Sequence, residues 1–216
     1  MEYNLEVFME KGGWGYLSFT ALDRINEIEF ALKNKMYQSA LALTLTLPDI
    51  CGQVEMPSAR VGARYKSWFD QYVAPLYMPK YIADIAAPQK RIIDGSVCYR
   101  LRCSYLHAGS DFIKEMEGKN AIRSEDDAAY KISYHLFLTI DEDSADGIEC
   151  NTDNSTKERE YIVHINVPTL CRKVCEAARN YIQGHSNPSA FNNNIIWVFS
   201  SKKWKQDSDS FFQENE

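Results

Sequence analysis

Residues 20–48 read TALDRINEIEFALKNKMYQSALALTLTLP, and the spacing of apolar side chains in this stretch decides the fold class. Leu22, Ile25, Ile28, Leu32, Met36, Ala40, Leu43 and Leu47 recur at steps of three and four, the period that lines one face of an α-helix. Thr20 and Asp23 stand where the two partners of a capping box belong, with aspartate in place of glutamate. The pattern predicts one long buried helix ending near Pro48, with residues 49–55 continuing it or forming a short link.

Further helices follow downstream. Ser58 after Pro57 is placed to cap a helix running to about Val73, with Val61, Tyr65, Trp68, Phe69 and Tyr72 on its apolar side. Pro75, Pro79 and Pro88 then predict a loop region with one short helix at residues 80–86. Asp94-Gly95-Ser96 reads as a helix start and Gly109 as its stop. β-branched and aromatic residues predict strands at 130–140 and 161–167, separated by an acidic, mobile loop at 141–160. Pro168 opens a helix to about Gln183, stopped by Gly184, and residues 195–200 read as a last strand. Upstream, Gly12-Gly13 between aromatic flanks predicts a hairpin or arm. The expected architecture is therefore mainly α with a small β elaboration. Its expected parts are an arm (1–19), a helical core (20–129), a β/α elaboration packed on that core (130–201) and a polar, frayed tail (202–216).

With 216 residues, 45% of them hydrophobic, the chain can bury a sizeable core. No apolar run approaches the roughly 18 residues of a membrane span, and the acidic, glycine-rich start lacks the features of a signal peptide. A cytoplasmic protein without a membrane partner is expected, and six cysteines in such a chain read as reduced thiols. The net charge of −6 argues against a nucleic-acid partner until its distribution is considered. Residues 56–107 carry eight basic side chains against three acidic, whereas residues 108–160 carry fourteen acidic against six basic. The basic segment is also the one that holds the chemistry.

That chemistry lies in Arg100-Leu101-Arg102-Cys103-Ser104-Tyr105-Leu106-His107. Arginine grips phosphate through paired donors, and histidine exchanges protons near neutral pH, so together they suit RNA cleavage. At about 100° per residue, Arg100, Cys103, Ser104 and His107 fall along one helix face, whereas Arg102 and His107 diverge by roughly 140°. A single helix does not aim both at one phosphate. A second copy of the helix, facing the first across a dimer, does.

Arg102 to His107 has the arginine, four residues, histidine spacing of the HEPN superfamily, and Arg100 to His107 fits the six-residue variant; residues 20–109 resemble that family. The resemblance implies a helical bundle that dimerises and acts as a metal-independent endoribonuclease on single-stranded RNA, in a bacterial toxin, defence or stress setting, with an antitoxin or regulatory protein as a possible partner. Cys103 stands where active members frequently carry asparagine or another polar residue. On this reading Arg102 clamps the phosphate, with Arg100 favoured by the helix geometry, and His107 is the acid or base. Asp49 and Glu55 are candidates to orient the histidine or an arginine, as acidic partners do in the family, and Ser104 is a further orienting candidate. The alternative is a catalytically inactive HEPN-like module for dimerisation and for binding nucleotide, RNA or protein, in which Arg102 and His107 pin the helix.

Other chemistries are poorly supported. Cys98, Cys103, His107, Cys171 and Cys175 are zinc-ligand types, but none has Cys-x2-Cys spacing, and the cysteines read as core thiols. His135 and His164 lie in predicted strands and read as exposed or hydrogen-bonded there. There is no P-loop, no dinucleotide fingerprint and no serine-hydrolase elbow around Ser104. No metal and no cofactor is expected.

Overall fold

The computed structural model describes residues 16–77, 93–108, 129–141, 144 and 146–213. The protein is α+β and mainly helical. In chain order the elements are β1 (Tyr16–Phe19), α1 (Ala21–Lys33), α2 (Tyr37–Thr44), α3 (Leu47–Glu55) and α4 (Val61–Trp68), which runs through a π-helical turn (Phe69–Val73) into a 3₁₀ turn (Ala74–Tyr77). Then come α5 (Gly95–Ala108), β2 (Lys131–Thr139), β3 (Gly147–Asp153), β4 (Glu158–Asn166), α6 (Val167–Gly184), a 3₁₀ helix (Pro188–Asn194), β5 (Ile196–Phe199) and α7 (Ser201–Gln213).

The capping box at Thr20 forms: the Thr20 hydroxyl accepts from the Asp23 amide, and Asp23 accepts from the Thr20 amide. The long helix predicted over residues 20–48 is instead three helices. At the end of α1 the Lys35 amide donates to the Leu32 carbonyl and the Met36 amide to the Ala31 carbonyl, the paired bonds of a Schellman stop. Lys35 itself holds φ at 57°, a left-handed conformation where glycine is the usual occupant and other residues cost about 1 kcal/mol or more. The four-residue step from Leu32 to Met36 to Ala40 passes straight through this break, which is why periodicity missed it. Pro48 opens α3 rather than closing a helix, since at the first turn its missing N–H has no partner to lose.

Further corrections concern ends and edges. The next helix begins at Val61 with Arg60 as its cap and no side-chain capping bond, not at Ser58. The acidic segment read as a mobile loop contains β3, which pairs antiparallel with β4. Its side chains are mostly exposed, so it carries no hydrophobic alternation to betray it. Asp153 accepts from the Ser155 amide and hydroxyl to shape the turn into β4, and these bonds hold its carboxyl down at about 2. The tail forms α7 with Ser200 capping the Lys203 amide, rather than fraying. Tyr16–Phe19 pairs antiparallel with β5 at the other end of the chain. Gly12-Gly13, the helix expected at 80–86 and the stop at Gly109 lie outside the described residues.

In the three-stranded sheet β4 is central, parallel to β2 and antiparallel to β3. Its alternate residues Tyr161, Val163 and Ile165 are buried, and the chain turns directly into α6 at Asn166. That side chain accepts from the Thr169 amide to cap α6 and donates to the Asp141 carbonyl, so one residue locks the strand-to-helix junction. Leu170, Cys171, Val174 and Ala178 of α6 join Ile25, Ile28, Leu41, Leu45, Trp68 and Leu101 in one hydrophobic core. The helix assigned by sequence to the elaboration is thus part of the helical core. No helix among the described residues is long and apolar enough to cross a membrane.

Two glycines set how closely the helices approach. A Cβ on Gly52 in α3 would stand 2.7 Å from the Arg64 carbonyl oxygen in α4, and one on Gly95 would overlap the backbone of Lys66. Neither neighbour is a flexible side-chain tip that gives way. Gly95→Ala is expected to destabilise the fold by about 2–3 kcal/mol through overpacking, lowering Tm by roughly 5–10 °C, with a comparable loss for Gly52→Ala. Gly184→Ala meets nothing within 4 Å and is expected to leave Tm unchanged or slightly raised, which thermal unfolding by circular dichroism would check.

Candidate functional site at helix α5

Helix α5 carries the whole Arg/His segment in one continuous α-helix. Its start is clamped at two points. The Asp94 carboxylate accepts from the Val97 amide, and Asp70 of the π-helical turn accepts from the Gly95 amide at 2.8 Å. Val97, Cys98 and Leu101 are buried, so the helix has one face in the core and its rotation is set.

Arg102 follows one turn after Cys98 and therefore points inward. Its side chain is 18% exposed, and one terminal nitrogen lies 3.6 Å from Asp49 Oδ2. The guanidinium also lies over the rings of Tyr65 and Tyr99, at 6.0 and 5.9 Å from their centroids. Its Nε is buried without a hydrogen-bond partner among the described residues. Asp49 is shared: Arg64 Nε donates to Asp49 Oδ1 at 2.8 Å. One carboxylate in the first turn of α3 thus holds guanidinium groups from α4 and α5, and the α3 N-terminus adds favourable dipole to its charge.

The remaining candidates are placed differently. His107 is exposed in the last turn of α5, where a cation complements the helix C-terminus. It lies five residues beyond Arg102, about 7.5 Å along the axis and roughly 140° around it. Within one protomer the two are not brought to one point. Arg100 and Ser104 are half-buried on the side of the helix that carries His107, away from Arg102. Glu55, offered by sequence beside Asp49, takes a different partner at the far end of α3, where Tyr181 donates to it at 2.7 Å. Burial, then this bond to a carboxylate, raises the Tyr181 hydroxyl above its usual range.

The thiols belong to packing. Cys51, Cys98, Cys171 and Cys175 are buried in the core, and burial pushes Cys98 up to about 12 and Cys171 up to about 11, far from thiolate chemistry at neutral pH. Cys98 also meets the Tyr65 hydroxyl at 3.3 Å. Among the described residues no group of three or more His, Cys, Asp or Glu side chains is placed to hold a metal ion. His135 and His164 sit in strands, each 3.1 Å from a glutamate, Glu160 and Glu149 respectively.

Sequence reasoning missed Arg64, Tyr65 and Tyr99 as neighbours of the motif arginine. Arg64 and Tyr65 lie on α4, which no spacing within α5 announces, whereas Tyr99 stands three residues before Arg102 on α5 itself, at the spacing where helix side chains meet. No family model, curated protein or solved structure matches this chain.

Removing the shared anion leaves two largely buried guanidinium groups facing each other. Asp49→Asn is expected to destabilise the fold by about 1–3 kcal/mol in chemical unfolding. Double-mutant cycles should find coupling of Asp49 to both arginines, larger for Arg64 at 2.8 Å than for Arg102 at 3.6 Å, on the order of 0.5–2 kcal/mol.

Proposed function

We propose that this protein is a metal-independent, HEPN-like endoribonuclease whose site is completed across a homodimer. The observation that carries the reading is the pose of the motif helix: Asp49 holds Arg102 on one side of α5 while His107 stands exposed near its end. A phosphoryl-transfer site needs a fixed cation and a solvent-reachable proton carrier, and these are such groups. Because they diverge on one helix, a second α5 must supply the complement.

The chemistry follows from these two side chains. The imidazole of His107 takes the proton of a ribose 2′-hydroxyl, the 2′-oxygen bonds to the adjacent phosphorus, and the bond to the 5′-oxygen breaks. The leaving 5′-oxygen takes a proton from solvent water, the proton held on His107 neutralises the hydroxide so formed, and a 2′,3′-cyclic phosphate remains. Arg102 stabilises the charge gathering on the non-bridging oxygens, and Asp49 keeps its guanidinium in place.

One observation favours the second reading, an inactive dimerisation and RNA-, nucleotide- or protein-binding module. The Arg102 guanidinium already faces an internal anion and two aromatic rings, a pose that also pins a helix.

A complementation experiment separates the two. Arg102→Ala and His107→Ala homodimers are each expected to lose cleavage of single-stranded RNA. Mixed at equal concentration and allowed to exchange, half the dimers pair one of each, and each such dimer holds one intact composite site. About a quarter of wild-type activity should return. Cleavage should survive chelator, and a 2′-deoxyribose at the cleavage position should block it. No recovery on mixing would remove the shared site, and wild-type protein that cuts no RNA would favour the binding module.

A further inference from the structure

A pocket of about 380 Å³ opens where the α1–α2 corner meets the first turns of α6. Lys33 and Lys35 enter it from the corner and Arg172 from α6, while Leu32, Tyr37 and Pro168 supply an apolar wall. Glu29 is the one acidic residue in the lining, and its carboxylate is occupied by Arg179 of α6 at 2.8 Å. No ion pair to Lys33, Lys35 or Arg172 forms among the described residues. The pocket is therefore strongly cationic beside an aromatic ring, in a chain whose net charge is −6.

Lys35 makes a second, independent point. It occupies the left-handed stop of α1, at φ 57°, where glycine would sit without strain. A lysine there weakens the stop and adds a charge to the pocket, a cost that a ligand would explain. A third observation concerns position. The Tyr105 hydroxyl of α5 donates to the carbonyl of Gln38, the residue after Tyr37 of the pocket wall, so α5 is tied to α2 beside the pocket.

We propose that this pocket is a subsite for a flanking nucleotide of a single-stranded RNA, with a backbone phosphate on Lys33, Lys35 and Arg172 and its base against Tyr37. Three cations suit phosphate oxygens, and a tyrosine face with aliphatic neighbours accepts any base by stacking. The inference rests on RNA being the substrate of the α5 site.

The test uses the wild-type protein and a fluorescent, 2′-O-methylated ten-residue oligoribonucleotide, which has no free 2′-hydroxyl to attack. Lys35→Gly removes the charge at a position glycine prefers, so Tm should hold or rise while affinity falls. Combined with Arg172→Gln, the loss should reach about tenfold or more, and the slope of log affinity against log salt should flatten by about 0.7, as for one lost phosphate contact on a single strand. Equal affinity and equal salt slope in the wild type and the double variant would overturn the subsite. So would absence of oligonucleotide binding to the wild type, including the case where ATP or pyrophosphate binds instead. Binding that depends on Lys35 and Arg172 in a protein that never cleaves RNA would uphold the subsite and sink the nuclease reading, so the two fail separately.

Discussion

The Asp49 carboxylate is the constraint on which the site depends. It accepts from Arg64 and faces Arg102, so a single anion at the start of α3 ties α4 and α5 to one point. All three side chains are largely shielded from water, with 14–22% exposure, and in such surroundings opposite charges attract more strongly than at a free surface. The contact also sets orientation. With Cys98 and Leu101 in the core and Arg102 on Asp49, α5 has one rotational setting, and that setting delivers His107 to solvent.

The close approach of helix backbones gives this ion network its geometry. Gly52 lets α3 lie against the Arg64 carbonyl, and Gly95 lets the start of α5 lie against Lys66. Side chains at those positions would separate the same helices that the charges draw together. The aromatic rings of Tyr65 and Tyr99, 5.3 Å apart, then form a floor beneath the Arg102 guanidinium. Van der Waals contact, cation and ring are thus cooperating at one helix junction rather than acting as separate contributions.

Charge is distributed unevenly along the chain, and its local pattern matters more than its total. The acidic residues that make the chain net negative crowd residues 108–160, part of which forms β3 and its turn. The cationic pocket at the α1–α2 corner lies outside both the basic and the acidic segments of the sequence. Its Lys33 and Lys35 are separated from Arg172 by more than a hundred residues, and α6 brings them together by packing across α1 and α2.

Much of the fold was legible in the order of residues. Thr20 and Asp23 announced a helix start, Asp94 announced another, and Pro168 with Gly184 bounded α6, because capping and φ restriction are local properties. The Arg102 to His107 segment could likewise be placed on a helix, with its two chemical groups on diverging faces, since helix pitch alone fixes that angle. What escaped were features stabilised by distant partners. The Schellman stop at Lys35 has no glycine to announce it, β3 draws its order from backbone pairing with β4, and β1 pairs with a strand nearly two hundred residues away. The choice of Asp49 over Glu55 as the arginine's partner, and the arrival of Arg64 beside it, depended on which faces of α3, α4 and α5 meet. Local sequence determines where helices begin and what they carry; only the packing of their side chains decides which of those groups share a site.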